Sequence, residues 1–273
     1  MPAFYKRVAS LSISGQGGGQ STTQLRTSFT IDKDRHGEPN DAEIKVYNLN
    51  PGSRAALKEE YKQIQLTAGY VGNARLIFDG QIHEVKHRYE SPDWISTISA
   101  KDGREGYRKA FVSETVDTKV ASTQELVKRA VKPMEAFNIK TGDISLLSKE
   151  KDRLKPVSFF ASAAQVLNEL AARDGFHWSI QDGEFEAAPY DKPLPGQLFV
   201  ISEQTGMIGS PEVEEEGKIT VRSLLNPAIK VNRAVQVVSR QPEASGLYKI
   251  TKITHKGDTH SNEWETVIMG EPF

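Results

Sequence analysis

Hydrophobic and polar residues alternate along both ends of the chain, a pattern typical of strands with one buried face. In the N-terminal third this alternation predicts six strands, over residues 7–13, 25–31, 43–49, 64–70, 76–87 and 94–100. One short helix is predicted over residues 54–61, because Pro51 suits the first turn of a helix. Alternation returns at Leu198 and continues to the C-terminus, so both ends are predicted to be β-rich.

The middle of the chain has helical periodicity instead. Ser122 and Glu125 have the spacing of a capping box, which predicts a helix that ends at Val131. A second helix is predicted over residues 159–173, with Gly175 as its terminator.

A tight hairpin is predicted next, with its turn at Asp182-Gly183. Three prolines at 189, 193 and 195 then indicate a linker. The middle is therefore predicted to be α+β.

One short pattern occurs twice, in the same order. The first copy contains Leu49-Asn50-Pro51, Ile64-Gln65-Leu66, Ile82-x-x-Val85-x-His87 and Asp93-Trp94 with Thr97. The second copy contains Leu225-Asn226-Pro227, Val235-Gln236-Val237, Ile250-x-x-Ile253-x-His255 and Glu263-Trp264 with Thr266. This order predicts one β module used twice, with unrelated material between the copies. The predicted domains are residues 1–106, 107–196 and 197–273; the alternative is chance similarity between two β-rich segments.

Composition narrows the function classes. The 273 residues are 37% hydrophobic, and the formal net charge of −1 gives no global bias toward nucleic acid or an anionic membrane. The absence of cysteine excludes disulfides, thiolate zinc sites and thiol nucleophiles. The first six residues show no secretory signal, and no stretch approaches the ~20 apolar residues of a membrane helix.

The most specific chemical motif is His83-Glu84-x-x-His87, which matches the H-E-x-x-H pattern of zinc proteases. That pattern works on a helix, where both histidines share one face. Here the surroundings alternate as in a strand, with Ile82, Glu84 and Lys86 predicted on one face and His83, Val85 and His87 on the other. The two histidines would then lie ~13 Å apart, too far to share one zinc ion. Asp79-Gly80, just upstream, indicates a turn.

Other candidate features are weaker. The glycine-rich segment 15–19 lacks a phosphate-binding pattern and is predicted to be a loop between strands. The four glutamates at 212 and 214–216 are interpreted as a solvated loop, or as a patch that repels DNA or meets a basic partner. Trp94 and Trp264 are predicted to anchor cores.

Several of these segments resemble baseplate hub proteins of contractile-tailed bacteriophages. The resemblance rests on Ile44–Leu49, Ala68-Gly69-Tyr70, Ile77–Ile82 and Ala100–Gly103 for the first domain, and on Thr205–Pro211, Leu224–Pro227 and His255–Thr259 with Trp264 for the last. It covers most of the chain except about residues 110–160. It implies a mainly β fold in which two similar β-barrel-like tube domains flank a small α+β middle domain.

The resemblance also implies a function. Such a hub is a homotrimer whose six tube-like domains join a hexameric tail tube to a trimeric central spike, with a lumen through which DNA passes. The tape measure and other baseplate proteins are further candidate partners. No catalytic, cofactor-binding or metal-binding residue, no cofactor and no membrane contact is expected. The expected location is the virion baseplate, after synthesis in the host cytoplasm.

Two other function classes remain open at this stage. One is an enzyme, either a zinc metallopeptidase using His83, Glu84 and His87 or a tail-associated cell-wall hydrolase. The other is a carbohydrate-binding β protein that uses exposed aromatic residues such as Tyr70 or Tyr107.

Overall fold

The computed structural model describes residues 6–15, 18–59, 61–117, 119, 121–150 and 156–273. The N-terminal segment considered for a secretory signal falls largely outside these ranges, as do Gln16 and Gly17 of the glycine-rich segment. The first part of the chain forms β1 (Arg7–Gly15), β2 (Gly18–Thr22), β3 (Thr27–Asp34), β4 (Asp41–Tyr47), α1 (Pro51–Glu59), β5 (Tyr61–Tyr70), β6 (Arg75–Glu90) and β7 (Asp93–Lys101). We call this part the first module.

The middle insert and the second module complete the chain. The insert contains α2 (Arg104–Lys109), β8 (Phe111–Val116), α3 (Thr123–Val131), β9 (Lys140–Thr141), β10 (Val157–Ser162), α4 (Ala163–Asp174), β11 (Phe176–Gln181) and β12 (Glu184–Pro189). The second module contains β13 (Phe199–Ile201), β14 (Met207–Val213), β15 (Ile219–Leu224), β16 (Ala234–Val237), β17 (Gly246–Asp258) and β18 (Trp264–Pro272). Short 3-10 helices lie at Lys132–Phe137, Glu203–Thr205, Glu215–Gly217 and Pro242–Ala244.

Both modules belong to one sheet of 13 strands, in which β17 of the second module pairs with β3 of the first. The strand order β3-β4-β7-β6-β5 of the first module recurs as β14-β15-β18-β17-β16 in the second, and every one of these pairs is antiparallel. The modules differ at one end. In the first, β1 lies antiparallel to β5 and carries β2, whereas in the second the short β13 lies parallel to β16.

The mainly β fold with similar modules flanking a small α+β segment is confirmed. Three hydrophobic clusters form the interior, one for each segment. Leu225 and Trp264 are exceptions, because they lie in the second module but belong to the cluster of the first. The domain boundaries at 106 and 196 stay predictions.

Local predictions in the insert are largely confirmed. The hydroxyl of Ser122 caps α3 by accepting from the backbone N–H of Glu125 at 3.3 Å, although the Glu125 carboxylate accepts from Arg129. Gly175 ends α4 with a φ of 72°. The β11–β12 hairpin turns at Asp182-Gly183.

Some local predictions differ from the structure in type or in bounds. Residues 159–162 belong to β10 rather than to a helix, because β8 supplies a distant antiparallel partner. The predicted helix 54–61 lies instead at Pro51–Glu59, where Asn50 caps it by accepting from the N–H of Ser53. Asp79-Gly80 is not a turn, since β6 is continuous there. A Cβ at Gly80 would lie 2.5 Å from the Phe78 ring, so glycine is required by packing within the strand.

Gly18 and Gly19, predicted as loop, are the start of β2 and pair with Gly15 and Ser14. Gly15, Gly18 and Gly19 are therefore paired strand residues rather than loop residues.

Candidate functional site

Equivalent strands of the two modules pair in the same register. Opposite pairs in the first module are Ile82 with Ala100, Val85 with Ile98, and His87 with Ser96. Their counterparts in the second module are Ile250 with Gly270, Ile253 with Ile268, and His255 with Thr266. One extra residue bulges from the longer strand at the same position in each module, at His83 and at Thr251. The repeated sequence pattern is thus a repeated structure, and Ser96, not Thr97, is the counterpart of Thr266.

The repeated histidines make the same hydrogen bond. His87 Nδ1 lies 2.9 Å from Ser96 Oγ, and His255 Nδ1 lies 2.9 Å from Thr266 Oγ1. His87 Nε2 also donates to the carbonyl of Arg54 at 3.0 Å, which leaves Nδ1 to accept from Ser96. Burial lowers the pKa of His255 to about 3 and also lowers the pKa of His87. Both histidines are therefore neutral structural residues.

The zinc-peptidase interpretation is wrong for this motif. His83, Glu84 and His87 lie on β6, a strand, and both ring nitrogens of His87 are already hydrogen-bonded within the chain. Among the residues that the structure describes, no group of three or more His, Asp or Glu side chains could hold a metal ion.

The predicted faces of β6 also need correction. The bulge at His83 interrupts the alternation, so Ile82 packs against the hydrophobic cluster together with Val85. Glu84 and Lys86 are exposed on the opposite face.

The joint between the modules is the pairing of residues 252–258 of β17 with residues 28–34 of β3. At one end of this joint the Arg26 guanidinium binds the Asp258 carboxylate, with Nη2 2.7 Å from Oδ2. Burial opposes ionisation of Asp258, but the hydrogen bonds from Arg26 and the N–H of His260 outweigh it and lower the pKa. Near the other end the hydroxyl of Thr254 donates to Asp32 at 2.6 Å.

Trp264 fills the interior of this joint, as predicted for a core anchor. It is 2% exposed and meets the Phe29 ring of the first module edge-to-face, with the ring centroids 5.5 Å apart. Gly257 lies beneath it, where a Cβ would approach Phe29 to 2.5 Å. The second module therefore inserts its tryptophan into the core of the first.

Trp94, the counterpart of Trp264, is not a core anchor. It is 39% exposed, lies against the Arg54 guanidinium at 4.3 Å, and neighbours Tyr89, which is 55% exposed. The aromatic residues suggested for carbohydrate binding are placed differently, since Tyr70 is buried and Tyr107 packs against Trp178. Tyr70 is therefore not the exposed aromatic residue that the carbohydrate interpretation requires, and Tyr107 is only half-buried.

The insert is attached to both modules through the β11–β12 hairpin. At its turn, the buried Asp102 carboxylate accepts from the backbone N–H groups of Asp182 and Gly183, and Lys33 binds Asp182 at 2.5 Å. Burial and the neighbouring Asp182 raise the pKa of Asp102 well above its ordinary value. This turn therefore docks on the first module.

The base of the hairpin docks on the second module. Glu186 receives two hydrogen bonds from Arg233, at 2.9 and 3.2 Å, and Lys249 Nζ donates to the carbonyl of Pro189. Burial lowers the pKa of Lys249 to about 8. The hairpin thus spans the joint and holds the two modules in one orientation.

The acidic cluster lies at the outer edge of the second module. Glu212 belongs to β14, and Glu214, Glu215 and Glu216 follow it; all four are exposed. Glu216 pairs with Lys218 at 2.8 Å. The sequence shows this cluster but does not show that it lies at a strand edge. The edge can be recognised only from the pairing of β14, which has β15 on one side.

No helix among the described residues is long and apolar enough to cross a membrane. A shallow cleft in the second module is bordered by Val200 and Val238, which are 40% and 46% exposed.

Known proteins share this architecture. The 43 kDa tail protein of prophage MuSo2 from Shewanella oneidensis superimposes with a TM-score of 0.66 at 10% identity, covering 96% of this chain and 97% of that one. The tail protein from Neisseria meningitidis MC58 has a TM-score of 0.68 at 10% identity, with 98% and 97% covered. An E. coli component of the type VI secretion system has a TM-score of 0.61 at 12% identity, with 96% and 76% covered.

At these identities the solved structures show the fold alone. A search of curated protein sequences finds no match. The family described as baseplate hub gp41 matches residues 11–270, which is nearly the whole chain, and confirms the resemblance drawn from the sequence. The chain therefore belongs to the baseplate hub gp41 family.

Proposed function

We propose that this protein is the hub of a contractile-tail baseplate, acting as a homotrimer whose six modules adapt a hexameric tail tube to a trimeric central spike. Membership of a baseplate hub family identifies a structural tail component. The observation that supports the finer proposal is the duplication itself, since both modules repeat one strand order, one register and one bulge.

Symmetry explains why duplication is useful. Three chains with one module each offer three equivalent contacts, whereas three chains with two modules offer six near-equivalent ones. A hexameric partner can then dock on all six modules, and a trimeric partner can use the differences between the two kinds. The two modules of this chain have the similarity that such a ring needs, and β1–β2 supplies a difference.

The proposed partners follow from this arrangement. The tail tube protein would bind one side of the ring and the central spike protein the other, with the tape measure and other baseplate proteins as further partners. DNA would pass through the lumen during ejection and make only transient, non-specific contacts. We place the protein in the virion tail after synthesis in the host cytoplasm, with a structural rather than an enzymatic role.

The mass of the purified protein in solution tests this proposal. We expect light scattering to give three times the chain mass of 30.3 kDa, and electron micrographs to show rings with a central opening. The same sample mixed with tail tube protein should form larger coaxial assemblies. A monomer that stays monomeric at high concentration and does not assemble with tube or spike protein would contradict the proposal.

A further inference from the structure

Among the described strands, the counterparts of the two strand segments that form the internal joint each lack a neighbour on one side. In the second module, residues 252–258 of β17 carry β18 on one side and β3 on the other. In the first module, the equivalent residues 84–90 of β6 carry β7 on one side, and no described strand lies on the other. Likewise β3 lies between β4 and β17, whereas its counterpart β14 pairs with β15 alone within the described chain.

We propose that the free edge of β6 in one copy pairs antiparallel with the free edge of β14 in the next copy, in the register of the internal joint. This inference rests on the proposed function, because it names the surface through which the copies would form their ring. An unpaired edge exposes backbone N–H and C=O groups that another strand can bind, and on β14 Pro211 contributes a C=O group but no N–H. The two edges differ, so the contact is head-to-tail and can close into a ring.

The register of this contact follows from the internal one. In the joint, Thr254 lies opposite Asp32 and Lys256 lies opposite Thr30. Strands β17 and β6 can be aligned through their pairing with β18 and β7. In this alignment Lys86 and Arg88 of β6 correspond to Thr254 and Lys256 of β17. Strands β3 and β14 can be aligned in the same way through their pairing with β4 and β15. In this alignment Glu212 corresponds to Thr30, and Glu214 corresponds to Asp32. Lys86 therefore falls opposite Glu214, and Arg88 falls opposite Glu212.

These positions are complementary in charge and share one face. The side chains of Lys86 and Arg88 are 69% and 79% exposed, and Glu212 and Glu214 are exposed as well. The hydrogen bond from Thr254 to Asp32 shows that opposite residues at this position point to the same side of the joint. Two positive residues at alternate positions thus meet two negative ones, whereas a shift of the register by one residue would separate them.

The opposite face supports the same pairing. In the joint, His255 lies opposite Ile31, and these residues are 1% and 0% exposed. The corresponding residues between copies are His87 and Val213, and Val213 is 43% exposed. Trp94 and Tyr89, exposed beside the β6 edge, have Trp264 and Gly257 as counterparts in the filled joint. Val213 and Trp94 are therefore partly exposed at the free edges, whereas their counterparts Ile31 and Trp264 are buried in the joint.

The present partners of these charges do not compete strongly. Lys86 binds Glu84 at 2.8 Å and Arg88 binds Glu90 at 3.2 Å, both as exposed pairs within one strand. Glu214 accepts from the hydroxyl of Thr220 at 3.1 Å, also at the surface. Such surface pairs contribute about 0–1 kcal/mol. A basic strand edge also discourages pairing with unrelated strands, so the same residues favour the acidic partner and disfavour others.

Charge reversal tests the predicted pairs. We expect Lys86→Glu with Arg88→Glu to raise the concentration needed for assembly at least ~10-fold, and Glu212→Lys with Glu214→Lys to do the same. All four substitutions in one chain exchange the charges and should restore assembly. Lys128→Glu with Lys132→Glu, which reverses two exposed charges on the insert, is the matched control and should assemble normally. Circular dichroism verifies that each variant is folded.

Engineered cysteines test the register, since the chain has none of its own. Arg88→Cys with Glu212→Cys, or Lys86→Cys with Glu214→Cys, should form disulfides between copies, seen as covalent multimers in non-reducing mass measurements. Arg88→Cys with Glu214→Cys is shifted by two residues, at a separation of ~7–8 Å that a disulfide cannot bridge, and should not cross-link.

The outcomes separate the two proposals. Rings that form in the wild-type protein, resist both charge reversals and give no in-register disulfide would overturn the β6–β14 contact and leave the hub proposal standing. A wild-type chain that is monomeric under all conditions would overturn both.

Discussion

The internal joint and the free β6 edge are two versions of the same structure, one covered and one open. In the joint, His255 and Trp264 are almost fully buried, and Arg26 and Asp258 form a short ion pair across it. At the free edge, the counterpart Trp94 is 39% exposed and the charges are paired only within their own strand. The difference shows that one strand pattern can serve as core or as surface, depending on what lies beside it.

The covered version contributes to the stability of the fold, and the open version is the one that we propose for recognition between copies. Residues of the joint gain from burial and from hydrogen bonds that are shielded from water. Residues of the free edge gain little until a partner covers them. Substitutions at equivalent positions should therefore have unequal effects on the folding of the chain.

The largest difference is expected for the two tryptophans. Trp264→Ala should lower the free energy of unfolding by about 3–5 kcal/mol, because it removes a buried ring and leaves a cavity beside Phe29. Trp94→Ala should lower it by about 1 kcal/mol or less, because its ring is partly in water. Urea unfolding of both variants at one protein concentration measures the difference. Equal losses would show that the two positions are not covered and open versions of one site.

A smaller difference is expected in acid. The folded-state pKa of His255, about 3, lies below its ordinary value of 6.5, so below pH 6.5 the unfolded chain binds a proton that the native chain does not. Stability should therefore fall as pH drops, by up to about 1.4 kcal/mol per pH unit from this residue.

The matched comparison for this prediction is between two histidine variants. His255→Asn should flatten the fall in unfolding free energy between pH 6 and pH 4 relative to wild type. His87→Asn should flatten it less, since His87 is only partly buried. Chemical denaturation at several pH values gives both slopes, and an unchanged slope for His255→Asn would show that this residue is not the buried base described above.

The smallest difference is expected for the ion pairs. Asp258→Asn removes the charge that Arg26 binds at the joint. It should lower the free energy of unfolding by about 1 kcal/mol, because the Asp258 side chain is only 8% exposed. Glu90→Gln, at the equivalent position of the free edge, should cost less than about 0.5 kcal/mol. Thermal unfolding in low salt compares the two. A larger loss for Glu90→Gln would reverse the assignment of covered and open sides.

Local pattern was enough to predict most strands and the duplication. Alternation placed β1, β3–β5 and β7, because each has a continuous buried face, and it placed β6 despite the bulge at His83. The turn sequence Asp182-Gly183 placed the β11–β12 hairpin. Local pattern failed at residues 159–162, whose strand depends on pairing with β8 more than 40 residues earlier. It failed again at Asp79-Gly80, where a turn sequence lies inside a strand because Phe78 occupies the space above the glycine.

The candidate site was less predictable, for a related reason. The pattern showed that Trp94 and Trp264 correspond, but not that only one of them has the other module beside it. Likewise the basic residues of β6 and the glutamates near β14 are ordinary surface residues in the sequence. Their complementarity appears only when the joint supplies a register, which depends on strands that are more than 200 residues apart.

The β1–β2 hairpin has a consequence for the assembled particle. It flanks β5, whereas the described part of the second module places the short parallel β13 beside β16. In the proposed ring of three chains, modules flanked by β1 and β2 would alternate with modules flanked by the short β13. A partner that touches only the common strands would experience a sixfold environment, while one that reaches these borders would be fixed in one of three rotational positions. In that ring, the β1–β2 pair, which lies outside the strands common to both modules, would convert sixfold order into threefold order.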